Sequence, residues 1–268
     1  MDQLTDTLGR GGVRVAWTGT DGEPVVTVTL DRPDTRNAQT PAMWRALGAV
    51  GENLPEGTRV VVLRSDGPVF SSGIDLRAFT PDGVDGESVL AQFQGLDDAA
   101  AADLIAEYQR GFTWWHDRDD VVTVAVVQGA AVGAGFQLAL ACDLRVCADA
   151  ARFAMRETSL GLVPDLAGTY PLVRLTGYAR ALELCATGRW VGAEEAARLG
   201  VATSVVPVDE LDAAAAEVVR GLLAAPPAAL RSTKAVLRAA LDAPDAAAQR
   251  RTEREAQVPL LRGLAASR

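Results

Sequence analysis

Hydrophobic and polar positions alternate along the chain in two rhythms, one of period two and one near 3.6. Val25 to Leu30 interleaves Val with Thr and predicts a strand. Val60 to Arg64 and Val121 to Val127 are short, mostly apolar runs, the pattern of strands covered on both faces. Leu144 to Cys147, Arg152 to Met155 and residues 202–206 read as further short strands. Thr40 followed by Pro41 predicts an N-cap and first helical position, with a helix to about Asn53. Residues 99–117 carry apolar side chains at helical spacing, and Gly133 to Cys142 is almost wholly apolar, a helix buried on all sides. Residues 168–176, 178–187, 193–199, 209–224, 227–241 and 246–264 also predict helices.

The connections read as a loose tail over 1–12, a polar loop over 31–39, a Gly/Ser loop over 66–76 and a tight link from Gln128 to Val132. Residues 79–98 mix Pro81 with Gly and Asp and show weak periodicity, so a mobile excursion is expected there. Strand–helix alternation argues for an α/β core with parallel strands. The expected organisation is a core over 1–205, including the 79–98 excursion, and a C-terminal helical subdomain over 206–268.

Composition narrows the function. The chain has 268 residues, 49% of them hydrophobic and 23% charged, with a formal charge of −9. Nothing in it suggests the basic face that nucleic-acid binding requires, so no nucleic-acid partner is expected. Met1 to Arg10 holds two Asp and no apolar h-region, so no signal peptide is expected. The longest apolar stretch, Ala130 to Cys142, is too short to span a bilayer. Cys142, Cys147 and Cys185 are odd in number and lack CxxC spacing, which fits a reduced cytoplasmic location. With one histidine, His116, a His/Cys zinc site is not expected, nor any other metal. The basic residues are 25 Arg and one Lys, Lys234, a bias of the kind genome composition produces.

Three segments carry candidate chemistry. Phe70-Ser71-Ser72-Gly73-Ile74-Asp75-Leu76 follows a buried strand, and its small residues allow close backbone approach to a ligand. Asp75 could hold that loop through nearby N–H groups, or the whole could be an ordinary strand-to-helix turn. Gln128 to Gln137 leads a buried strand through small residues into a buried helix. The unpaired Ala134 N–H at that helix start could donate to an oxyanion, or the segment could only be a tightly packed helix start. Leu138 stands where a dinucleotide GxGxxG needs Gly, and no GxxxxGK[ST] loop occurs. Glu157 and Asp165 flank an apolar Gly-Leu-Val-Pro bend. A carboxyl in an apolar pocket has its pKa raised, which suits general acid/base work, whereas an isolated Glu is usually solvated. A Ser71 or Ser72 nucleophile paired with His116 would be the hydrolase alternative, but no G-x-S-x-G elbow is present.

Four ordered segments resemble the crotonase (enoyl-CoA hydratase/isomerase) superfamily: Leu30 to Ala38, Phe70 to Leu76, Gln128 to Asp143, and Arg152 to Thr169. The resemblance implies a spiral of ββα units followed by a C-terminal helical trimerisation region, as homotrimers or dimers of trimers. It implies an acyl-CoA thioester substrate, with coenzyme A part of the substrate and no separate cofactor. The implied oxyanion hole uses the backbone N–H groups of Ser72 and Ala134, with Glu157, Asp165 and Gln137 as catalytic positions. Arg32, Arg36 and Ala38, and Ser71, Gly73, Ile74, Asp75, Leu76 and Gly133, fall on implied substrate-binding positions. One of the two hydratase glutamates is here Gln137, an amide that is no base near neutral pH but can orient water. Asp165 matches the carboxylate of dienoyl-thioester isomerases in that family. The resemblance therefore favours double-bond isomerisation. The alternatives are hydration of a trans-2-enoyl-CoA with Gln137 positioning water, and a catalytically weak acyl-CoA-binding protein. Phe79, Phe93, Leu96 and Trp114 suggest an apolar acyl chain.

Overall fold

A computed structural model describes residues 2–17 and 25–266. Its strands are β1 (Val13–Trp17), β2 (Val25–Leu30), β3 (Val60–Ser65), β4 (Val122–Val127), β5 (Ala130–Val132), β6 (Leu144–Ala148), β7 (Arg152–Ala154), β8 (Val191–Gly192) and β9 (Ser204–Val206). Its helices are α1 (Asp2–Gly11), α2 (Pro41–Glu52), α3 (Val89–Phe93), α4 (Asp98–Asp117), α5 (Ala134–Ala141), α6 (Thr169–Thr176), α7 (Tyr178–Thr187), α8 (Ala193–Arg198), α9 (Leu211–Ala224), α10 (Pro227–Asp242) and α11 (Ala246–Ala266).

The larger sheet has the order β1-β2-β3-β4-β6-β9, parallel except for β1 against β2. A smaller sheet, β5-β7-β8, stands beside it. Each of β4–β5 and β6–β7 sends its first strand to the large sheet and its second to the small one. This is the mixed α/β architecture expected, with helices gathered at the C-terminal end.

The apolar strands are apolar because both faces are covered. Val61, Leu63, Ala125 and Val127 point into a core with Met43 and Leu47 of α2 and Phe112 and Trp115 of α4. Their neighbours Val60, Val124 and Val126 point the other way, onto Leu211 and Ala215 of α9. Full burial of each Val or Leu among them stabilises the fold by about 1.5–3 kcal/mol. Because α9 supplies that second layer, the expected boundary at 205/206 does not divide it from the core.

The predicted cap of α2 is present: Met43 N–H donates to Thr40 Oγ1 at 3.2 Å. Three expectations change. Residues 2–11 of the loose tail form α1, whose Gly11 packs on Ala46 of α2. The tight link after Gln128 contains β5. The 79–98 excursion holds α3, capped by Ser88, and a small cluster of Ala78, Val84 and Val89. β1 and β8 were not foreseen.

α10 is fastened to the core by Lys234. Its ammonium donates to the Asp143 carboxylate at 2.8 Å and to the Val121 carbonyl at 2.8 Å. Asp143 also accepts from Thr123 N–H at 2.8 Å. Burial pushes the Asp143 carboxyl up, but His116 and Lys234 outweigh it and hold it below the usual carboxylate range. Among the described residues no single helix is long and apolar enough to cross a membrane.

Candidate active site

The loop after β3, the start of α5, the turn after β7 and helices α3 and α4 enclose a cavity of about 480 Å³. One wall is apolar: Trp44, Phe79, Val89, Phe93, Ile105 and Tyr108. The Tyr108 hydroxyl donates to Gln92 at 2.8 Å, and burial pushes the phenol up to about 12, so this wall stays neutral. Leu96 and Trp114 do not line it. Trp114 instead stacks on Trp115 and donates to the Leu47 carbonyl at 2.9 Å.

Two loops are laced together at the cavity's edge. Asn37, in the left-handed region at φ 52°, accepts from Arg32 N–H and donates to the Asp66 and Val69 carbonyls. Ser71 Oγ donates to the Asn37 carbonyl at 2.8 Å and accepts from Gly73 N–H at 3.2 Å. Ser71 is wholly buried, so it holds the loop and does not reach a substrate. Asp75 does what its position suggested: it accepts from Arg77 N–H and pairs with the Arg77 guanidinium, which lowers its carboxyl despite burial. Arg32 braces the Ala38 carbonyl at 2.5 Å and sits 3.7 Å from Asp75. Its guanidinium is therefore engaged inside the protein. Ala38 is buried, and neither it, exposed Arg36 nor Gly73 lines the cavity.

The expected oxyanion donor at Ser72 must be corrected. Ser72 N–H donates to the Arg36 carbonyl at 3.0 Å and is not free. The next peptide is arranged differently. The Gly73 carbonyl accepts from Gln39 N–H at 2.7 Å. Across a trans peptide the following N–H points the opposite way. Ile74 N–H therefore faces away from Gln39, toward the side where Ser71 pairs with Ala131 of β5. Ile74 N–H has no protein acceptor among the described residues, and Ile74 lines the cavity. Gly73 makes the reversal possible: its φ is +90°, and a Cβ there would lie 2.7 Å from the Val132 carbonyl oxygen.

The second donor stands as expected. Gly133 precedes α5 at φ 50° and offers no capping side chain. Ala134 N–H, first in the helix, has no acceptor among the described residues and lies at the positive end of the helix dipole. Gly133, Ala134, Ile74 and Leu76 all line the cavity.

Glu157 opens a short 3-10 turn after β7, 9% exposed, with Oε1 packed over Gly133. Gln137 Nε2 donates to Glu157 Oε1 at 2.6 Å. Glu157 Oε2 is buried with no hydrogen-bond partner among the described residues. Burial raises the Glu157 carboxyl; its own and neighbouring backbone N–H groups and Gln137 only partly offset this, and nearby Asp165 adds to it. Asp165, itself exposed, lines the same cavity, and desolvation by the protein crowded around its carboxyl raises it too. The sequence's pair of carboxylates thus converges.

Gln137 lines the cavity, but its amide is engaged within the protein. It is wholly buried, and its Oε1 accepts from Leu166 N–H at 2.9 Å and Gly168 N–H at 3.2 Å. The hydrolase alternative fails: His116 Nδ1 lies 3.5 Å from Asp143, and the Ser71 and Ser72 hydroxyls donate to the backbone carbonyls of Asn37 and Thr35. Trp44, Ile105 and Tyr108 were missed as cavity walls. Their helical spacing marked them only as core, and nothing in spacing distinguishes core from cavity.

Comparison with known proteins agrees with this geometry. Residues 20–262 match the family model for enoyl-CoA hydratase/isomerase. The carnitinyl-CoA dehydratase of Salmonella typhimurium is 37% identical over 224 residues, 82% of this chain and 79% of that protein. A Thermobifida fusca YX protein, solved in complex with CoA, is 48% identical and superposes with a TM-score of 0.89 over 97% of this chain and 96% of its own. It has also been solved with acetoacetyl-CoA. An enoyl-CoA hydratase from Bacillus anthracis is 28% identical, with a TM-score of 0.76 over 92% of this chain and 89% of its own.

Proposed function

From the premise that the chain belongs to the enoyl-CoA hydratase/isomerase family, we propose that it moves the double bond of an enoyl-CoA thioester. The thioester carbonyl oxygen sits between the Ile74 and Ala134 N–H groups, whose donation stabilises negative charge on that oxygen. Glu157 Oε2 removes a proton from C2 of a 3-enoyl thioester. The electron pair spreads onto the carbonyl oxygen as a dienolate, and a proton returns to C4 from Glu157 or Asp165 to give the 2-enoyl product. The single observation carrying this reading is the state of Glu157: one oxygen tied down, the other buried and unpartnered. A carboxylate oxygen without hydrogen bonds is at its most basic, which is what a carbon acid demands. The neutral, aromatic wall suits an uncharged apolar acyl group, and CoA in the Thermobifida fusca relative supports the thioester. α11 buries no residue within the chain, which supports assembly through its C-terminal helices, as a trimer or a dimer of trimers.

A second reading, hydration or its reverse, is favoured by the names of the Salmonella and Bacillus relatives. In it Asp165, not Gln137, activates water, because the Gln137 amide is engaged with Glu157, Leu166 and Gly168. The test incubates the protein separately with 3-enoyl-CoA and 2-enoyl-CoA, with Glu157→Gln as control. Isomerisation of the 3-enoyl ester, lost in Glu157→Gln, is expected. Rapid hydration of the 2-enoyl ester without isomerisation would overturn the first reading for the second. Tight ester binding without turnover would overturn both in favour of a binding protein.

A further inference from the structure

Gln137 occupies a catalytic position by resemblance and lines the cavity, yet it is wholly buried and both ends of its amide are already bonded inside the protein. We propose that it is a positioning residue: its amide fixes which oxygen of Glu157 exchanges protons and locks the Asp165 turn to that same carboxyl. The inference rests on the proton-transfer role of Glu157 proposed above.

The polarity of the amide is settled by its surroundings. Leu166 N–H and Gly168 N–H can only donate, so the end 2.9 and 3.2 Å from them is the oxygen. The NH₂ end therefore faces Glu157, and its donation at 2.6 Å satisfies Oε1. The Glu157 carboxyl cannot rotate without breaking that bond, and Oε2 remains the only oxygen able to take a proton from substrate. A carboxylate at position 137 would present an acceptor to an acceptor and repel Glu157 unless a proton were shared between them.

The other end of Gln137 holds a strained turn. Between its two N–H partners lies Ala167 at φ 65°, a conformation L-residues other than Asn and Asp rarely adopt. Gly168 makes room for the clamp, since a Cβ there would fall 2.5 Å from Gln137 Cγ. Such strain persists only where neighbours over-determine it. Here the restraint is the Gln137 carbonyl, and the turn it restrains begins at Asp165, on the cavity wall. One amide thus sets the geometry of both carboxylates.

The test uses two near-isosteric variants, Gln137→Met and Gln137→Glu. Two readouts are needed: the pH profile of kcat/KM, and an infrared titration of the Glu157 carboxyl band, assigned by its absence in Glu157→Gln. Gln137→Met removes the donor to Oε1, so the Glu157 titration should move up. A loss of orientation of this kind costs up to roughly 10²-fold in kcat. Gln137→Glu keeps acceptors for Leu166 and Gly168 but shares a proton with Glu157. Its titration should also move up while the fold is retained. An unmoved Glu157 titration in both variants overturns the proposal, as does a loss of kcat that merely tracks a lower melting temperature with an unchanged pH profile. The infrared titration needs no turnover, so wild-type protein that converts neither ester refutes the proposed activity while still deciding the role of Gln137.

Discussion

Replacing Gly73 with Ala should disable the oxyanion hole without touching a side chain that contacts substrate. Two costs can be read from the structure. An L-residue at φ +90° loses about 1–2 kcal/mol of stability relative to Gly. The new Cβ would also lie 2.7 Å from the Val132 carbonyl oxygen, where ordinary contact begins at 3.4 Å, so that carbonyl must retreat by about 0.7 Å. Val132 immediately precedes Gly133 and Ala134, and Ile74 immediately follows Gly73, so the displacement falls between the two donors. Oxyanion donors act over a window of only a few tenths of an ångström, and losing one costs roughly 10²–10³-fold in kcat. The expected result is a kcat lower by that factor with KM little changed, measured by steady-state turnover of 3-enoyl-CoA. Gly86→Ala is the control: its φ is +81°, but a Cβ there meets nothing within 4 Å. It should show a similar stability loss and normal kcat. A Gly73→Ala enzyme within about threefold of wild-type kcat would refute the assignment of Ile74 and Ala134 as the donors.

Desolvation by the cavity walls raises the carboxyls of both Glu157 and Asp165, so kcat/KM should fall on the acid side with an apparent pKa above the ordinary glutamate value of 4.5; a pH–rate profile checks this, and the value belongs to the pair. A raised carboxyl favours the folded state while protonated and disfavours it once ionised. Glu157→Gln should therefore match wild type near pH 4 and melt higher as pH rises through the raised pKa, in thermal scans from pH 4 to 8. Lys234→Met should destabilise the protein by about 3–5 kcal/mol in urea titrations, because it strands the buried Asp143 carboxylate; adding Asp143→Asn should recover much of that loss, and an additive double variant would contradict the pairing.

How far the sequence carried this reading varies by feature, for physical reasons. α2 was legible because Thr40 and Pro41 announce a helix start in local chemistry alone. Glu157 and Asp165 were legible because a carboxyl on either side of an apolar bend is a local pattern that survives folding. α1 was not, because its helix is fixed by packing against Ala46 and its own end is rich in Gly. β5 was not, because three residues between Gly129 and Gly133 become a strand only when β7 arrives beside them. The shift from Ser72 to Ile74 was invisible because it depends on a single dihedral. Composition shows a Gly at 73 but not that its peptide turns over there. The role of Gln137 was misread because an amide's task depends on who surrounds it, and its partners at 166 and 168 lie some thirty residues away.

The seat of Lys234 has one more consequence. Acyl thioesters transfer their acyl groups to unprotonated amines, and lysine side chains are the usual victims. This chain carries one lysine, held against Asp143 with 6% of its side chain accessible; arginine stands at the other 25 Lys/Arg positions, and its guanidinium does not react this way. An enzyme steeped in acyl-CoA thus presents no lysine to be acylated while folded. Conversely, an amine-reactive ester that does label Lys234 reports the moment α10 lifts from the core, giving a one-site clock for the opening of the C-terminal helices.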